Sequence, residues 1–60
     1  MRVKFTSLEQ LQESFNKTYK DYETEKRVEE TLDKEIEVYF DEHDLVYNEA
    51  NEFLGELIDY

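Results

Sequence analysis

Four glutamates recur at intervals of seven: Glu35, Glu42, Glu49 and Glu56. Seven residues are close to two helical turns, so on an α-helix these carboxylates line one edge about 10.5 Å apart. Asp41, Asp44, Glu52 and Asp59, together with Glu37, widen that row into a face, and the stretch from Glu35 to Tyr60 holds nine acids and no Lys or Arg. All seven bases stand at or before Lys34, where eight acids balance them almost completely. The distal half therefore repels other acids and attracts basic surfaces. Nine charges on 26 residues of helix amount to about one per 4 Å, against one per roughly 3.4 Å of nucleic-acid strand and 1.7 Å of duplex. Such a face is able to occupy a groove built for phosphate. A helix that only needs solvation mixes its signs to gain i,i+4 pairs, and this segment forgoes them.

Other chemistry finds less support. His43 is the sole histidine, and in a helical register its i±4 neighbours are Tyr39 and Tyr47, with no carboxylate on its face. That arrangement does not build a helical Glu-x-x-His metal site, and the acids from Asp41 onward lack the glycine of a calcium loop. No metal or other cofactor is expected, and His43 reads as an interface or partly buried residue. No nucleophile–base constellation is visible either. Ser7 reads as a helix cap and Ser14 as a polar-face residue, so the chain is expected not to be an enzyme. The aromatic residues number nine. Most belong to a core, while Tyr39, Tyr47 or Tyr60 would anchor the apolar part of a protein contact, as tyrosine does at interface hot spots. Val38 and Leu45 fall outside the main stripe and offer a second apolar patch.

The elements that would carry these residues are read from periodicity. There is no proline and one glycine, Gly55, so long helices with short joints are the first expectation. Ser7 followed by Gln10 has the form of a capping box. Leu8, Leu11, Phe15, Tyr19 and Tyr22 then share a face, predicting a helix over 7–22. A joint follows at 23–26, with Thr24 as a cap. Val28, Leu32, Ile36, Tyr39 and Phe40 resume the helical spacing, and His43, Val46, Tyr47, Ala50, Phe53, Leu54 and Leu57 continue it, all apolar except His43. The expected fold is all-α, a small helical hairpin or three-helix bundle. The alternative is a small α+β fold, with a short strand at residues 2–6 and a hairpin of 35–40 with 45–48, because Glu35 to Phe40 also alternates with period two and is rich in strand formers. A loop at 41–44 without glycine or Asn-Gly argues against that hairpin.

Length and composition set the frame. Sixty residues form one small acidic domain, 1–60, whose core supplies about 3–5 kcal/mol at most. There is no cysteine to staple it, so self-association, as a homodimer, is the expected support. The longest apolar runs are three residues, too short to span a membrane. The start, MRVKFTSLEQ, lacks the apolar stretch of a signal peptide. A cytoplasmic location is expected. A net charge of −10 argues against direct binding of nucleic acid or anionic lipid.

In size, charge and aromatic content alone, the chain resembles the small acidic inhibitors of phages and other mobile elements, including anti-restriction and anti-CRISPR proteins and other DNA mimics. No motif carries that resemblance. The function expected is that of a non-catalytic acidic inhibitor occupying the basic groove of a nucleic-acid-binding protein. The residues expected to act are Glu35, Glu42, Glu49 and Glu56, then Asp41, Asp44, Glu52 and Asp59, with Tyr39 and Tyr47. Two alternatives are a helical oligomerisation or adaptor module, and an immunity or antitoxin protein facing a basic toxin.

Overall fold

A computed structural model describes residues 2–60. Five antiparallel strands form one curled sheet in the order β1-β3-β4-β5-β2, with two helices packed on its inner face. β1 (Val3–Phe5) leads into α1 (Leu8–Gln10), which passes directly into a π-helical stretch over Leu11–Phe15. β2 (Lys17–Tyr19) and α2 (Tyr22–Asp33) follow, then β3 (Val38–Phe40), β4 (Leu45–Asn48) and β5 (Phe53–Asp59). The all-α bundle is thereby overturned and the chain is not a helical protein. It belongs to the α+β class weighed as the alternative.

Local chemistry explains each departure. Ser7 does cap α1, its Oγ accepting from the Gln10 N–H at 3.2 Å, while Gln10 Oε1 accepts from the Thr6 N–H. The expected helix over 7–22 stops early. Asn16 turns left-handed (φ 54°) and its N–H closes onto the Leu11 carbonyl, a conformation asparagine tolerates better than most residues. Tyr19 therefore sits on a strand. The cap of α2 is Asp21 rather than Thr24: its Oδ1 accepts from both the N–H and the Oγ1–H of Thr24. Glu23 and Glu25 in the first turn suit the positive end of the helix dipole. Glu35 ends this helix at φ 60°, with the Glu35 N–H on the Leu32 carbonyl and the Ile36 N–H on the Thr31 carbonyl. This is a Schellman cap in which a glutamate takes the place glycine usually fills.

Two hairpins then share one turn design. Asp41 Oδ1 accepts from the N–H groups of His43 and Leu45, and Asp44 is left-handed. Asn48 Oδ1 accepts from the N–H groups of Ala50 and Glu52, and Asn51 is left-handed. In each turn a side-chain oxygen satisfies two backbone donors, and Asp or Asn tolerates the positive φ. That is why a loop without glycine still folds as a hairpin.

The core is formed by Phe5, Leu11, Val28, Val38, Phe40, Val46, Leu54 and Leu57. Phe40 meets Phe5 and Phe15 edge-on, at centroid distances of 5.8 and 4.7 Å. Val38, expected on a secondary patch, is fully buried. Strand β5 carries a bulge: Tyr47 pairs with Phe53 but Val46 pairs with Gly55, so Leu54 is the extra residue. Leu54 and Gly55 consequently both face inward. The Leu54 carbonyl accepts a long bond from Arg27. Gly55 lies directly beneath Thr24 of α2 and leaves no room for a Cβ.

Candidate interaction surfaces

The fold decides which charges remain available. Lys4 pairs with Glu37 at 2.7 Å, Lys20 with Glu56 at 3.1 Å, and Arg27 with Glu23 at 3.7 Å. Lys17 bridges Asp44 and Asp59 at 3.3 and 2.5 Å. Hydrogen bonds to Asp59 and Asp44 raise the Lys17 ammonium above its ordinary range, and Glu37 does the same for Lys4. Arg2 lies over the ring of Tyr47, 4.5 Å from its centroid. Four of the seven bases are thus held against carboxylates and a fifth against an aromatic face.

The heptad row of the sequence does not survive as a row, because its residues lie in turns and strands. Glu35 caps α2, Glu42 is in the β3–β4 turn, Glu49 in the β4–β5 turn, and Glu56 on the open face of β5. Antiparallel strands put consecutive turns at opposite ends, so Glu35, Glu49 and Glu52 mark one end of the sheet and Asp41, Glu42 and Asp44 the other. Asp44, Glu56 and Asp59 hold lysines. Asp41 builds a turn: burial pushes its carboxyl up, but the N–H groups of Leu45 and His43 outweigh that and keep it low. His43, expected at an interface or partly buried among tyrosines, is exposed in a turn with Glu42 3.7 Å away. Tyr39 and Tyr47 stand opposite each other on the open face of the sheet, and Tyr39 donates a short hydrogen bond to Glu37.

A second acidic surface escaped the sequence reading. Helical spacing puts Glu25, Glu29 and Asp33 on one stripe of α2 with Tyr22. Near its start a groove of about 450 Å³ runs between α1, β2 and α2, lined by residues including Glu9, Gln12, Asp21 and Glu25. The Tyr19 hydroxyl is shielded from solvent and has no hydrogen-bond partner. Burial first, then the Glu25 and Glu29 carboxylates, push that phenol up to about 12. In the linear sequence these acids look balanced by Lys17, Lys20, Lys26, Arg27 and Lys34. The signal that could have exposed them is the i, i+4, i+8 spacing of Glu25, Glu29 and Asp33, a row of three acids bordered by the single base Lys26.

Along that stripe acids repeat every four residues, roughly 6 Å, sparser than the roughly 3.4 Å of a nucleic-acid strand. The surface therefore resembles a phosphate backbone in sign and field rather than in matched spacing. Among the described residues no helix is long and apolar enough to cross a membrane, and no group of three or more acids and histidines is placed to share a metal ion. The chain matches no protein-family model, no curated protein and no solved structure.

Proposed function

We infer that the chain is a non-catalytic acidic inhibitor, which occupies the basic groove of a nucleic-acid-binding protein through its carboxylates. One observation carries this reading: four of the seven bases, Arg2, Lys4, Lys17 and Lys20, are held on the sheet side against carboxylates or a ring, while the segment from Asp21 through α2 sets six acids against Lys26 and Arg27, so the helical side keeps a net negative field. A concentrated field of one sign speeds encounter with a basic groove and discriminates against acidic partners. Glu9, Asp21, Glu25, Glu29 and Asp33 form one contact zone. Glu35, Glu49 and Glu52 at one end of the sheet, and Asp41 and Glu42 at the other, extend it.

The test is capture of partners on the immobilised chain at low salt, with a salt gradient and a separate elution by added DNA or RNA. The expected partner is a nucleic-acid-binding protein that free nucleic acid displaces. Its affinity drops steeply between about 0.05 and 0.5 M NaCl as charges are screened. Reversing Glu25 and Glu29 together to lysine weakens binding, while the fold, read by circular dichroism, stays intact. An affinity indifferent to salt and to these reversals would overturn the reading.

A further inference from the structure

The outer face of the sheet has no helix over it. Strand alternation and the pairing register put Tyr39, Leu45, Tyr47, Phe53, Ile58 and Tyr60 on this side. Phe53, Ile58 and Tyr60 are 57%, 42% and 75% exposed. Three of the four large hydrophobic residues exposed among the described residues therefore lie along one strand and its end, and Tyr47 extends the patch edge-on from Phe53 at 5.9 Å. Clustered exposure of this kind marks a contact surface, whereas scattered apolar residues do not.

Charge identifies the occupant. Two molecules carrying −10 each repel at almost every approach. The outer face is the exception. Its edges and rows bring Arg2, Lys4 and Lys20 together with Glu37, Asp41, Glu49 and Glu56, three bases to four acids. By contrast, the segment from Asp21 through α2 carries six acids and two bases. An acidic partner or a second copy meets least repulsion at the sheet, and a face mixing both signs is self-complementary under a two-fold axis. We propose that the open sheet face is a homodimer interface, with two copies packed sheet to sheet through Phe53, Ile58, Tyr60 and Tyr47 and with the acidic helices turned outward. This does not depend on the inhibitor reading.

The area fits a reversible dimer. The chain spans 25 × 24 × 18 Å, so a full face offers roughly 600 Å² per copy and the pair roughly 1,200 Å², the lower limit of specific interfaces. An area at this lower limit suits a reversible dimer rather than a permanent one.

Sedimentation equilibrium of the full chain over concentration and salt tests the proposal. The expected result is a dimer whose dissociation constant falls several-fold when NaCl rises from about 0.02 to about 0.3 M, because screening removes the long-range repulsion between copies. Phe53→Asp and Ile58→Asp, each at an exposed position, raise the dissociation constant about tenfold or more. Glu25→Lys with Glu29→Lys leaves the dimer at least as tight. A protein that stays monomeric up to about 1 mM, a dimer that both apolar substitutions leave untouched, or a dimer that salt weakens would each overturn it. The salt responses of the two surfaces are opposite in sign, so failure of one reading is distinguishable from failure of the other.

Discussion

Replacing Gly55 by alanine tests how the helix sits on the sheet. An added Cβ would lie 2.7 Å from Thr24 Cβ and closer still to Thr24 Oγ1 and Cγ2, and Gly55 has φ +156°, which side chains rarely adopt. Neither partner gives way easily. Thr24 is buried and its hydroxyl is bonded to Asp21 at 2.7 Å, and β5 is paired on both sides. Overpacking of this kind, with backbone strain added, costs roughly 2–3 kcal/mol. A chain of this size has only about 3–5 kcal/mol in total. The thermal midpoint, followed by circular dichroism, is expected to fall by roughly 10–20 °C at 4–8 °C per kcal/mol. Thr24→Gly removes all three clashing atoms, and on its own costs a few tenths of a kcal/mol of helix propensity together with about 1 kcal/mol for the lost hydroxyl bond to Asp21. The double variant should be more stable than the sum of the singles predicts, by at least about 1 kcal/mol. A Gly55→Ala protein melting within about 3 °C of the parent, or strict additivity with Thr24→Gly, would refute this account of the packing.

Two further outcomes follow from the caps and carboxylates. Glu35→Gly relieves a left-handed residue at the end of α2, and is expected to add up to about 1 kcal/mol after the greater unfolded-state freedom of glycine is counted. A loss of stability in urea titration would show that the Glu35 side chain holds something the cap geometry does not require. Hydrogen bonds hold several carboxyls below their ordinary range: Asp21 through the Thr24 side chain and N–H, Asp59 through Lys17, and Glu37 through Lys4 and Tyr39. A folded value below the unfolded one means stability that is present above about pH 4 and lost as the pH falls through the folded values. Melting curves from pH 7 to pH 2 should therefore show a falling midpoint below about pH 4. A midpoint that keeps rising to pH 2 would mean that relief of acid–acid repulsion outweighs these bonds.

What the sequence made legible was mostly local. The Ser7–Gln10 box was readable because a cap depends on residues three apart, and the 41–44 loop was readable as one of two options. The fold class was misread because the apolar residues of 36–57 satisfy a helical register and a strand–turn–strand register at once. The seven-residue spacing of Glu42 and Glu49 has a different origin: each is the second residue of a turn opened by Asp41 or Asn48, and one strand plus one turn also repeats every seven residues. The pattern Asp-Glu-His-Asp and Asn-Glu-Ala-Asn, with Asx at both ends, was the signal that separated hairpins from a heptad. The α2 acids were hidden for another reason. Some of their apparent counter-charges, Lys17 and Lys20, lie nearby in sequence but pair with carboxylates far away in the chain, which only the tertiary structure reveals.

The strand order also governs when the protein can acquire its shape during synthesis. β3, β4 and β5 are consecutive and pair as they emerge, whereas β1 waits for β3, and β2 waits for β5 until Lys17 meets Asp59. The segments translated first thus become the two edges, added last to a meander that the later residues build. Closing those long loops delays the reward of pairing. A nascent chain halted before β5 leaves β2 without its pairing strand and α2 without its seat on Gly55, and the sheet completes itself only after residue 59 has cleared the ribosome.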